Sequence, residues 1–141
     1  MFKRKLNIVA LILCIVILLS ALSIAAEPFK VKLNMFERLV VMGLLPQLGN
    51  IATLRLVMEQ NLILGASDEE TVVAGLYTAP EGGIMARYGW DKVPEVEFTF
   101  EETVLKWIRE ALQKLEDTEQ LTMEHFRVYE KFMLVEEKEE E

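Results

Sequence analysis

The sequence predicts an α+β fold: an N-terminal apolar helix, then a small antiparallel three-stranded sheet packed against about five helices. Three observations predict it. Short runs at Phe29–Leu33, Ile84–Trp90 and Val96–Phe98 alternate apolar with other side chains at period two, the pattern of a half-buried strand. Asn34, Ser67 and Thr99 each stand three residues before a glutamate, the capping-box signature of a helix start. Val104, Trp107, Ile108, Ala111, Leu112 and Leu115 recur at the i, i+3, i+4, i+7 spacing of an amphipathic helix.

Taken in order, the chain opens with Lys3, Arg4 and Lys5, followed by Leu6–Ala26, 21 residues without a charge. About 20 apolar residues suffice to cross a hydrocarbon core as a helix. The basic flank predicts a cytoplasmic N-terminus and an exported domain. Residues 1–26 are therefore expected to be a signal anchor held in the membrane through residues 6–26. The alternative is a signal peptide cleaved near Ala25 or Ala26, after small residues of the kind such a site requires. Residues 27–135 form a single acidic α+β domain, and 136–141, five Glu and one Lys, a charged tail in water.

Within the domain, Phe29–Leu33 is the first strand. Asn34 caps a helix whose Phe36, Leu39, Val40, Gly43 and Leu44 share one face and which Pro46 ends. Asn50 caps the next, Ile51 to about Leu64. It is apolar around most of its circumference and is expected at the centre of the core, with Gly65 as its stop. Ser67 opens a short helix to about Leu76, and Thr78–Gly83 is a loop. A strand over Ile84–Trp90, a turn over Asp91–Pro94 and a returning strand over Val96–Phe98 precede the helix from Phe100 to about Asp117. Thr122 caps the last helix, to about Val135, with Leu121 and Phe126 placed as a hydrophobic staple. Setting Phe29–Leu33 beside Glu95–Thr99 aligns their apolar faces. It also places Lys30 and Lys32 on the same outer face as Glu95 and Glu97, where opposite charges contribute about 0.2–1 kcal/mol per pair.

Composition excludes several function classes. The chain has 15 basic and 23 acidic residues. With the three leader cations set aside, 12 basic residues face 23 acidic ones, a balance of −11 that argues against phosphate-backbone binding and hence against nucleic acid. The single cysteine, Cys14, excludes an internal disulfide framework and a Cys-ligated zinc site.

Glu37–Pro46 (ERLVVMGLLP), Gly49–Arg55 (GNIATLR), Trp90-Asp91, Leu121–His125 (LTMEH) and Val128–Phe132 (VYEKF) resemble a family of small uncharacterised proteins of phage and prophage genomes. The resemblance spans roughly Phe29 to Phe132. Here an apolar leader precedes the first strand, near which members of that family usually begin. It implies a phage accessory protein and carries no activity, substrate or site.

The residues themselves offer little chemistry. Ser67 is the only serine beyond the leader and is accounted for as a cap. His125 is the only histidine; it lies in the first turn of the last helix without a second histidine to share a metal. Asp68, Glu69 and Glu70 sit where a helix N-terminus favours negative charge. Gly82-Gly83 lacks the lysine and spacing of a phosphate loop. Tyr88, Trp90 and Trp107 read as core or sheet face, and Met35, Met42, Met58, Met123 and Met133 as gap-filling core. No catalytic, cofactor-binding or metal-ligating residue is assigned. The expected function is a non-catalytic accessory protein, membrane-anchored or exported, that acts on a protein partner. The alternatives are a cytosolic phage accessory protein binding a host or phage protein, and a small enzyme using carboxylates and His125.

Overall fold

The computed structural model describes residues 27–134. The leader and the charged tail lie outside the described residues. Among the described residues no helix is long and apolar enough to cross a membrane.

Strand β1 (Phe29–Leu33) turns Val31 and Leu33 inward and Lys30 and Lys32 outward. It pairs antiparallel with β4 (Val96–Phe100), Phe29 opposite Phe100, Val31 opposite Phe98 and Leu33 opposite Val96. The apolar faces coincide as the alternation predicts, and Lys32 stands opposite Glu97. Lys30 faces Thr99 instead of a carboxylate, and Glu95, one residue short of the strand, accepts a hydrogen bond from Lys131 Nζ at 3.0 Å.

The three-stranded sheet is not formed. Four strands make two separate two-stranded sheets, β1 with β4 and β2 (Leu76–Thr78) with β3 (Ile84–Ala86). Glycine geometry explains the difference. Helix α3 (Asp68–Ala74) stops at Gly75, which adopts the left-handed conformation at φ +64°. Leu76–Thr78 is thereby freed from the expected helix to become a strand. The 79–83 connection closes through Gly82 and Gly83, both at positive φ, into a hairpin. The expected long strand ends at Ala86, and beyond Gly89, at φ +112°, Trp90–Lys92 coils into a 3-10 turn. At Gly75 an added Cβ would lie 2.7 Å from the Tyr88 ring. Gly75→Ala is accordingly expected to cost at least about 1 kcal/mol from the left-handed strain alone, read as a lower urea midpoint at unchanged m-value.

Helix α1 (Met35–Leu44) starts from a complete capping box: Glu37 N–H donates to Asn34 Oδ1 at 2.8 Å and Asn34 N–H to Glu37 Oε2 at 2.9 Å. Helix α2 (Ile51–Leu64) is capped by Asn50, whose Oδ1 accepts from Thr53 N–H, and α3 by the Ser67–Glu70 box. The third expected box is absent. Thr99 and Phe100 belong to β4, Phe100 is buried in the core, and α4 (Glu102–Asp117) begins after Glu101 without a side-chain cap. Burying a phenylalanine outweighs a cap contributing about 1 kcal/mol. Helix α5 (Met123–Met133) follows Thr122. The Phe126 of the expected staple is 54% exposed, while Leu121 packs on the core.

The main core joins the β1–β4 face to α1, α4 and α5 through Leu33, Val41, Phe100, Ile108, Leu112, Val128 and Phe132. A smaller cluster of Met35, Ala74 and Val93 lies beneath the β2–β3 hairpin residues Leu76 and Ala86. Helix α1 turns Met35, Glu37, Arg38 and Val41 inward. One expectation about faces is overturned. Helix α2 is not central: it buries Val57, Gln60 and Leu64 and leaves Ile51, Met58 and Leu62 at 76%, 59% and 77% exposure. Both helices are apolar on more than one side, so periodicity alone cannot choose the buried face. On α1 the choice falls to two charged residues that find partners only on the inner side.

Candidate functional site

Those two residues organise the domain's polar interior. Arg38 and Glu37 are each 2% exposed. The Arg38 guanidinium grips the Glu70 carboxylate with two hydrogen bonds, 3.0 and 2.8 Å, tying α1 to α3, and lies 5.2 Å from the Phe98 ring centroid. Its bonds to Arg38 hold the Glu70 carboxyl below the usual carboxylate range, against the opposing effect of burial. Lys131, from α5, donates to Glu37 Oε2 and the Lys32 carbonyl, both at 2.7 Å, and to Glu95. One ammonium therefore joins α5, α1, β1 and the approach to β4. Tyr129 O–H donates to Glu116, linking α5 to α4, and that bond raises the phenol's pKa. These contacts fix helix α1 in rotation.

With its charged side turned inward, α1 leaves its second apolar face half-buried, Val40 and Leu44 packing in part on the main core. Phe36, Leu39, Val40, Gly43 and Leu44 form the floor of an open groove of about 990 Å³. Ala111, Lys114 and Leu115 of α4 make one wall. Ile84 and Met85 of β3, with Trp90, make the other, and Phe36 and Trp90 rings lie 5.5 Å apart. Gln120, Glu124 and His125 add a polar rim. The groove is thus an apolar trough with one cation and one carboxylate at its edge. The trough is open above Gly43, with no atom within 4 Å of where its Cβ would be.

His125, one of the residues singled out from the sequence, lies at this groove, and its ring is engaged locally. Nδ1 accepts the Thr122 N–H at 3.1 Å and lies 2.9 Å from Thr122 Oγ1. The imidazole thereby takes the capping role that a glutamate plays at α1 and α3. Ser67 Oγ accepts from the Glu70 N–H, as its cap reading requires. Glu70 does more than favour a helix dipole, since it is the partner of Arg38. Asp68 and Glu69 remain exposed on α3, Gly82 and Gly83 form a turn, and Tyr88 is exposed. Trp107 packs against the main core, whereas Trp90 contributes to the groove. Among the described residues no cluster of three His, Cys, Asp or Glu is arranged to hold a metal ion. Sequence reasoning set Phe36, Leu39, Val40, Gly43 and Leu44 on one face of the helix but did not foresee that this face would line a groove. The available signal was an excess of apolar residues on α1, more than one face can bury. Comparison with protein-family models, with curated proteins and with solved structures finds no match for the chain.

Proposed function

We propose that the domain is a non-catalytic accessory module of phage or prophage type, anchored to or exported across a membrane by residues 1–26, that binds a segment of a partner protein in the α1 groove. The observation that carries this reading is the half-buried apolar face of α1, walled by α4 and Trp90. An amphipathic helix laid in such a trough places its apolar anchors at i, i+3, i+4 and i+7. Lys114 and Glu124 at the rim supply opposite charges that fix its orientation. The phage assignment rests on the resemblance of the Glu37–Pro46 and Val128–Phe132 motifs.

A photo-cross-linking residue placed at Val40 in the full chain is expected to give a discrete protein adduct in the native host. The same residue at exposed Glu102, outside the groove, is expected to give none. Val40→Glu is expected to reduce partner capture by more than tenfold, because a carboxylate would be buried against apolar surface, with circular dichroism unchanged. An adduct from Glu102 and none from Val40 would overturn the groove reading. A C-terminal tag protected from external protease in spheroplasts would overturn the export reading.

A further inference from the structure

A second apolar surface lies on α2 and plays no part in the groove. Ile51, Leu54, Met58 and Leu62 are all exposed. At about 100° per residue they fall within one stripe some 80° wide, extending about 16 Å along the helix. Leu48, just before the helix, is exposed as well. Arg55 and Glu59 are exposed and follow the stripe along a single flank, about 40° and 80° round from Ile51. No ion pair among the described residues takes up either of them.

We infer that this face pairs with the same face of a second copy of the chain, the two α2 helices running antiparallel about a two-fold axis near Val57. In such an isologous contact each surface meets itself. An antiparallel pair of helices also sets a given flank against the same flank of its partner. Arg55 then faces Glu59 of the second copy and Glu59 faces Arg55 of the second copy, two reciprocal pairs from one flank. Ile51 meets the Leu62 end, and Met58 packs at the centre. A parallel arrangement would set that flank against the opposite one and leave both charges unpaired. The charge pattern therefore selects a second copy in one orientation over a lipid surface, for which alternating Arg55 and Glu59 offer no net attraction.

The inference stands apart from the groove's partner, because the two surfaces share no residue. It is tested on the full chain in detergent micelles, with molar mass followed by sedimentation across a dilution series. The wild type is expected to be a dimer that dissociates on dilution. Arg55→Glu and Glu59→Arg are each expected to weaken it about five- to tenfold, since each turns two attractive contacts into repulsive ones. Combining them, R55E with E59R, is expected to restore association to within about twofold. Both side chains are exposed, so the swaps leave the fold intact, and circular dichroism checks this. Met58→Glu is expected to yield monomer. A monomeric wild type, a dimer indifferent to the swaps, or single losses that the double swap fails to rescue would each overturn the proposal. So would swaps that abolish binding to lipid vesicles while leaving the dimer intact, since they would assign the face to a membrane surface.

Discussion

Phe132→Ala is expected to lower the unfolding free energy by about 3–5 kcal/mol, the range for removing a buried ring from a core that cannot collapse around the void. Phe132 is fully buried and holds the middle of an aromatic trio, its ring 5.4 Å from Phe29 on β1 and 5.4 Å from Phe100 on β4. The Phe100 contact is edge-on at 70°, which adds quadrupole attraction to the burial of both rings. Truncation therefore unseats α5 from both central strands at once. A small domain has about 5–15 kcal/mol in total, so the variant retains a fraction of its stability. Urea unfolding gives the value directly. Phe126→Ala, one and a half turns earlier on the same helix, is the control. With its ring more than half exposed, it is expected to move stability by less than about 0.5 kcal/mol. Comparable losses at both positions would mean that Phe126 closes the staple with Leu121 and that α5 is rotated from the arrangement described.

That pair of phenylalanines also shows what the sequence could and could not convey. The period-two runs at Phe29–Leu33 and Val96–Phe98 led to the β1–β4 pairing because a strand shows its buried face in its own alternation. The caps at Asn34, Asn50 and Ser67 were equally legible, since each depends on residues three apart. Boundaries failed where a single backbone conformation overrode the side-chain pattern. Gly75 cut short a helix whose residue types would have continued, and the pairing of Ile84–Ala86 with the freed Leu76–Thr78 produced two sheets in place of one. The faces of α1 and α2 were beyond local reading. The rotation of α1 is set by the pairing of Glu37 with Lys131, 94 residues away in sequence, and of Arg38 with Glu70, 32 residues away. The groove inherits that difficulty: its floor residues were legible as one face, but nothing in α1 alone reveals that a charged side is drawn inward. The use of His125 as a cap for Thr122 follows from geometry that the Leu121–His125 motif carries in plain form.

Glu70→Gln is expected to cost about 3 kcal/mol at pH 7. Removing the charge from one partner leaves the Arg38 guanidinium buried and uncompensated, a loss of about 3–5 kcal/mol for a fully enclosed pair. The lower end applies because Glu70 is 21% exposed. Glutamine keeps an oxygen to accept the Ser67 N–H, so the cap of α3 is largely retained and the measured loss belongs to the ion pair. The double variant Arg38→Met with Glu70→Gln is expected to recover most of the loss, since a methionine stacks on Phe98 without a charge to satisfy. The pH dependence supplies an independent check. Arg38 holds the Glu70 carboxyl below its unfolded value, so the contribution is complete above the ordinary carboxylate range and disappears as pH falls through the lower, folded-state value. The difference in stability between wild type and Glu70→Gln should therefore be largest near neutrality and shrink on acidification, as the wild type itself comes to carry a protonated residue 70. A gap that stayed constant from neutral to acid pH would show that the carboxylate's charge is not what holds Arg38. The force fixing α1 in rotation, and with it the apolar face that lines the groove, would then have to come from the Lys131–Glu37 contact on its other side.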